Sequence, residues 1–266
     1  MRCTILTLFP EMFPAILGSS ILGRAAKRGL IVTELVQIRD FATDKHHRVD
    51  DSPFGGGPGM VLKPDVLERA VTRVKSEHPG RVIWLSPQGK PFTQEDARRF
   101  AAWPHLILVC GHYEGVDERW ITQEADEEIS LGDYVLTGGE LPAMVILDAV
   151  ARLIPGVLGD AESAVAESFG TGLLDHPHYT RPAHWQPLRG GEARVPPTLL
   201  SGDHGAVAAW RRRQALLRTL IRRPDLLQRV AWNRHERRLI EALAKDLEAM
   251  ENDQDDSRSR ETLLHT

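Results

Sequence analysis

Short aliphatic and β-branched runs alternate with helix-like stretches through the first half of the chain, and this alternation limits the fold more than any other feature. The runs are Thr4 to Leu8, Ile31 to Ile38, Val82 to Leu85 and Leu106 to Val109, with a weaker fifth at Glu128 to Leu131. Strands separated by helices predict an α/β fold with a mostly parallel sheet and helices on its faces. Between the runs, Pro64 to Lys75 opens on Pro-Asp, a favourable helix start, and sets Val66, Leu67, Ala70, Val71 and Val74 on one face. Thr93, with Asp96 three residues on, predicts a capped helix reaching Phe100. Glu140 to Leu153, following Gly138 and Gly139, reads as a further amphipathic helix.

Beyond Pro155 the pattern stops. Six of the 17 prolines fall between Pro155 and Gly205, among many glycines, so little regular structure is expected there. The interleaved Phe169, His176, His178, Tyr179 and Trp185 argue for an ordered, functional linker. Helices are predicted again over Ala206 to Ile221 and His235 to Leu247, with another starting near Pro224. Between Arg211 and Arg238 there are ten arginines against two acids, Asp225 and Glu236, whereas Asp246 to Asp256 is acidic. On a protein of formal net charge -4, that basic stretch predicts a phosphate-binding surface.

Composition removes several classes. A charged fraction of 26%, close to the roughly 25% usual for folded domains, excludes a wholly disordered chain. Cys3 and Cys110 are far apart and form no Cys-x-x-Cys pair, so neither a disulfide framework nor a cysteine zinc site is expected, and a reducing cytoplasm is. The segment from Met1 to Phe9 is a poor signal peptide. The longest greasy segment, Leu141 to Leu158, is interrupted by Asp148, Arg152 and Pro155, so no membrane span is expected.

The common nucleotide fingerprints are missing. Phe54 to Met60 lacks the Gly-x-Gly-x-x-Gly spacing, because Met60 stands where the last glycine belongs, and Pro91 follows Gly89-Lys90 where a phosphate loop needs Ser or Thr. Three glycine-bearing loops instead follow three consecutive predicted strands: Ser86 to Gly89, Gly111 to Gly115, and Gly132 to Gly139. Ligands of open α/β sheets bind beyond the carboxyl ends of strands, so the three loops predict one shared pocket. An NAD-dependent oxidoreductase is the rival that the bare α/β pattern leaves open.

The same loops resemble those of the bacterial tRNA (guanine-N1)-methyltransferases of the SPOUT superfamily. The blocks are Leu85-Ser86-Pro87-Gln88-Gly89, the stretch from Gly111 to Arg119, and the stretch from Gly132 to Pro142. The likeness extends to Leu8 to Phe13, Val49-Asp50-Asp51, Gly55 to Met60, Ile154 to Gly159, Pro177 to Pro182, and Val195 to Gly202, so only the acidic tail is unmatched. It implies a trefoil knot that holds S-adenosylmethionine in a bent form, and a homodimer with active sites at the subunit interface. It implies methylation of N1 of the guanosine immediately 3′ to the anticodon, position 37, in tRNAs where the preceding base is G, which protects the reading frame. Alternatives are a SPOUT enzyme acting at another RNA position and a catalytically inactive RNA-binding relative.

The resemblance also divides the chain: a knotted methyltransferase domain over 1–158, a linker carrying the catalytic carboxylate over 159–204, a helical tRNA-binding domain over 205–246, and an acidic tail over 247–266. The implied cofactor residues are Leu85, Ser86, Pro87, Gln88, Gly89, Gly111, Tyr113, Glu114, Gly115, Leu131, Gly132, Asp133, Tyr134, Val135, Leu136, Gly138, Gly139 and Pro142. Guanine N1 bears a proton, so methylation needs a base and a group to hold charge at O6. By motif position these are Glu167, where the best-known members of the family carry aspartate, and Arg152, with Glu162 as a nearby second acid. Glu114 is placed near the cationic cofactor or the accessory divalent ion, Mg2+, that the family's reaction uses. Asp50, Gly57, Gly59, Arg181, Arg211 and Arg212 are the implied RNA contacts, with Arg213 and Arg218 as further phosphate candidates; His112 and Cys110 receive no task.

Overall fold

The computed structural model describes residues 1–159, 167–228, 230 and 232–252. Glu162 and most of the acidic tail lie outside the described residues. The chain forms two compact units, Met1–Ala161 and Glu162–Thr266.

Five strands build the first unit: β1 (Arg2–Thr7), β2 (Val32–Gln37), β3 (Arg81–Pro91), β4 (His105–Cys110) and β5 (Glu127–Ser130). They lie in the order β2-β1-β4-β3-β5, and every neighbouring pair is parallel. Side chains alternate between the two faces of a strand, so each strand feeds two cores. Ile5, Ile83, Leu85, Leu106 and Leu108 face one layer, and Leu6, Val82, Trp84, Ile107 and Val109 face the other. All six residues of β4 are buried, as a central parallel strand covered on both faces requires.

Helices α1 (Ser20–Lys27), α2 (Pro64–Glu77), α3 (Gln94–Ala101), α4 (Glu118–Glu124) and α5 (Glu140–Ala151) cover the sheet. The predicted face of α2, Val66 through Val74, is buried in one layer, and α3 and α5 pack in the other. Helix α5 differs from its expectation. It is apolar nearly all round rather than amphipathic, with buried Ala143, Ile146, Leu147 and Val150 and with Leu141 and Val145 left 48% and 50% exposed. No helix of the described residues is long and apolar enough to cross a membrane.

The predicted cap at Thr93 is present. Its hydroxyl accepts from the Asp96 N–H, and the Asp96 carboxylate accepts from the Thr93 N–H in return. Asp96 is buried, and burial alone would push its carboxyl up. Hydrogen bonds from Lys90 at 2.8 Å, Arg99 at 2.8 Å and Thr93 at 2.7 Å outweigh that and hold it well below the usual carboxylate range. A depressed carboxylate stabilises the fold above its unfolded value, near 4, and loses that effect as pH falls through the lower folded value. Asp96→Asn is therefore expected to cost about 2 kcal/mol at neutral pH in urea unfolding, with the gap from the parent protein narrowing steadily below about pH 4. A gap that does not change with pH would contradict the assigned charge.

The second unit carries α6 (His204–Arg222), α7 (Pro224–Leu227) and α8 (Arg234–Asn252), whose Leu216, Leu217 and Leu243 are buried with Leu173 in a small core. Before them, the proline-rich stretch forms a two-strand antiparallel pair, His184–Trp185 with Ala193–Arg194, and one helical turn, Pro197–Leu200.

Candidate active site

The three glycine loops meet at the carboxyl edge of the sheet around a cavity of about 280 Å³. Strand β3 sets the geometry. It pairs with β5 through Leu85, lets residues 86–89 leave the sheet, and returns, so that Leu85 and Lys90 both stand opposite Ile129. Gly89 lies against β5 in this excursion: a Cβ there would fall 2.5 Å from backbone atoms of Glu128 and Ile129. The second loop follows β4, and the third follows β5 and ends where Gly139 begins α5, with the Gly139 N–H donating to the Gly111 carbonyl at 2.8 Å.

Every predicted cofactor residue lines this cavity except Gly89 and Asp133. Gly89 shapes the loop from behind rather than facing the space. The wall also includes side chains that sequence reasoning left without a task, among them Trp84, His112, Glu118, Ile121 and Glu128. His112 is the most informative of these. Its Nε2 is 3.0 Å from Glu140 Oε2, and Thr7 donates its hydroxyl to Glu140 Oε1 at 2.6 Å. Glu140 and Thr7 are buried, so a carboxylate at the start of α5 fixes an imidazole at the cavity wall from behind. The ring of His112 also lies 4.8 Å from that of Phe9. The only sequence signal was the acid directly after Gly138-Gly139, which reads equally well as an ordinary helix-start residue.

The charge of the cavity is one-sided. Among its lining residues are the carboxylates Glu114, Glu118 and Glu128, and no Lys or Arg. A cavity that carries carboxylates and, among the described residues, no Lys or Arg suits a ligand with a cationic centre. Among the described residues no Lys or Arg lines it to neutralise the pyrophosphate of NAD.

The glycine-rich loop predicted to approach RNA reaches the rim of this cavity. Asp50–Asp51 pairs with Val61–Leu62 as a short antiparallel ladder, and the chain between them carries Gly55, Gly56, Gly57 and Gly59, all with positive φ. The Glu114 N–H donates to the Met60 carbonyl and the Leu62 N–H to the Gly115 carbonyl, each at 2.9 Å. Gly59 packs on the Glu114 side chain so closely that a Cβ would collide with it.

Arg152 caps the carboxyl end of α5 in the first unit. Glu167 lies in the second unit, where its carbonyl accepts from the Gly170 N–H at 2.9 Å. In the second unit Arg181 and Arg211 share a cavity of about 400 Å³ with His176, His178 and Tyr179. Arg212 instead grips Glu236, its Nε 3.0 Å from Oε1. Arg218 has a buried Nε with no hydrogen-bond partner among the described residues.

Sequence comparison accounts for this arrangement of loops. The family profile described as tRNA (Guanine-1)-methyltransferase TrmD matches residues 1–229. A tRNA (guanine-N(1)-)-methyltransferase of Magnetococcus marinus is 64% identical over 252 residues, covering 95% of this chain and 99% of the relative. One from Pelotomaculum thermopropionicum is 53% identical over 254 residues, covering 94% and 99%, and one from Desulforamulus reducens is 53% identical over 243 residues, covering 90% and 94%. With a profile spanning most of its length and such relatives aligned almost end to end, the chain belongs to the tRNA (guanine-1)-methyltransferase family.

Proposed function

We propose that the protein transfers the methyl group of S-adenosylmethionine to N1 of the guanosine at position 37 of tRNAs whose preceding base is G. The observation that carries this reading is the three-loop cavity, lined by carboxylates and, among the described residues, by no Lys or Arg, at the sheet edge of a tRNA (guanine-1)-methyltransferase family member. Membership of this family supports a trefoil knot formed by the three loops. The exposed apolar face of α5, with Leu141 and Val145, supports a homodimer with the active sites at its interface.

In this reading the backbone of the three loops and the side chains of Leu85, Leu131 and Leu136 hold the adenosine. Glu114, beside the glycine-rich loop, offsets the positive charge. When bound, S-adenosylmethionine supplies a methyl group activated by its sulfonium. Glu167 accepts the N1 proton of guanine, which frees the N1 lone pair for attack. Arg152 holds the negative charge that develops at O6. Asp50 and the backbone at Gly57 and Gly59 contact the RNA near the cavity, because a carboxylate can accept from a guanine edge and glycines let backbone come close. Arg181 and Arg211, with Arg212 once released from Glu236, meet phosphates of the anticodon stem. Mg2+ is the accessory ion, and the protein works in the cytoplasm.

The test is to incubate the protein with S-adenosylmethionine, Mg2+ and two tRNA transcripts that differ only in whether the last anticodon base is G or A, and then to identify the methylated nucleoside. N1-methylguanosine at position 37 of the G transcript alone is the expected product. A different nucleoside would reassign the target, and binding of both ligands without product would favour an inactive relative.

A further inference from the structure

Outside the loop cavity, three metal-binding side chains of the second unit converge. Asp175, His176 and His178 each present one ligand atom, and these atoms all lie within 4.8 Å of one another. Asp175 Oδ1 is 2.7 Å from His176 Nδ1, Asp175 Oδ2 is 2.9 Å from His178 Nε2, and the two imidazole centroids are 4.6 Å apart. The backbone around the cluster is anchored. The Asp175 N–H donates to Ser168 Oγ at 2.9 Å, the His176 N–H to Asp175 Oδ1 at 2.7 Å, and the Leu174 N–H to Thr219 Oγ1 on α6 at 2.9 Å. Both histidines edge the 400 Å³ cavity, and His178 is largely solvent-facing, so a hydrated ion has a route in.

We propose that Asp175, His176 and His178 form a binding site for a first-row transition-metal ion of the zinc class. Two imidazoles and one carboxylate are the ligand set that Zn2+, Co2+ and Ni2+ prefer, whereas Mg2+ selects an all-oxygen shell. Bonds of about 2.0–2.1 Å to a tetrahedral ion put ligand atoms about 3.4 Å apart. The two short Asp–His contacts therefore open by about 0.5–0.7 Å, and ligand atoms as far as 4.8 Å apart close toward about 3.4 Å, adjustments that side-chain rotation supplies. Three protein ligands leave the fourth position to water. On binding, each ring presents a lone pair to the ion and keeps its proton on the nitrogen facing away, so Nε2 of His176 and Nδ1 of His178 carry the hydrogens. Arg211, which shares the cavity with both histidines, repels an incoming cation, so the affinity is micromolar rather than tighter.

The experiment uses the full chain without an affinity tag. ZnCl2 is titrated against a chromogenic chelator, and Co2+ is added separately to record its visible spectrum. One equivalent of Zn2+ should bind with low-micromolar affinity, Co2+ should give the intense bands of a tetrahedral site, and a large excess of Mg2+ should displace neither. His178→Gln and His176→Gln should each weaken Zn2+ by about tenfold or more, while His184→Gln, outside the cluster, should leave it unchanged. Because His178 is 72% exposed, its replacement leaves the fold intact and keeps the test decisive. No stoichiometric binding, binding indifferent to His178→Gln, an octahedral Co2+ spectrum, or displacement by Mg2+ would each overturn the proposal.

Discussion

Glu167→Gln is expected to reduce single-turnover methyl transfer by a factor on the order of 10² to 10⁴, the range that a positioned general base contributes, and to leave S-adenosylmethionine affinity within error. Glutamine keeps the shape and the carbonyl acceptor of glutamate but cannot take the N1 proton. In the proposed mechanism Glu167 acts on guanine N1 and not on the cofactor, so the expected loss lies in the chemical step alone. Rapid-quench assays with saturating tRNA, paired with calorimetric titration of S-adenosylmethionine, separate the two quantities. Turnover near that of the parent protein would remove Glu167 from the base role. Glu167→Asp adds a geometric readout: activity at or above the parent level would mean that the site does not depend on the extra methylene. Arg152→Ala is expected to slow the same step by a factor of hundreds, as losing one donor to a developing oxyanion does. A change confined to tRNA affinity would make Arg152 a positioning residue instead.

The sheet was legible because its signal is local. Each strand is a short aliphatic run, the cap at Thr93 and the helix start at Pro64 are written within four residues, and the glycines that follow β3, β4 and β5 mark where backbone must turn. Thus Val82 to Leu85 located a strand. What it could not show is that the strand resumes at Lys90 opposite the same Ile129, since that register depends on a partner more than thirty residues away. Helix α5 was misjudged for a related reason. Asp148 does face solvent, but Glu140 points inward to Thr7 and His112, and Leu141 and Val145 share the exposed side. The task of His112 was hidden by the same contact, which joins residues 28 positions apart. Arg212 read as one of ten available cations, but a single acid on α8, Glu236, engages it. In each case the type of residue was visible and its partner was not.

Gly139→Ala is expected to destabilise the first unit by about 3 kcal/mol or more and to abolish measurable S-adenosylmethionine binding. The cause is contact rather than backbone conformation. Gly139 has φ -81°, which alanine adopts freely, so the substitution carries no penalty of its own there. A Cβ, however, would stand 2.6 Å from Cys110 Cα and 2.7 Å from the Gly111 nitrogen, inside van der Waals contact with backbone on two sides. Neither neighbour can turn away as a long side chain would. Relief requires the start of α5 to retreat from the end of β4, which lengthens the 2.8 Å bond from the Gly139 N–H to the Gly111 carbonyl. That retreat carries Glu140 away from His112 and Thr7, leaving a buried carboxylate short of its partners, and it parts the second loop from the third across the cavity. Gly159→Ala is the matched control, because a Cβ there meets nothing within 4 Å among the described residues. Urea unfolding and cofactor calorimetry on the two variants should therefore diverge, with Gly159→Ala close to the parent in both. If Gly139→Ala unfolds and binds as the parent does, the loops do not meet at the distance described, and the cavity owes its shape to something other than the packing of Gly139 on β4.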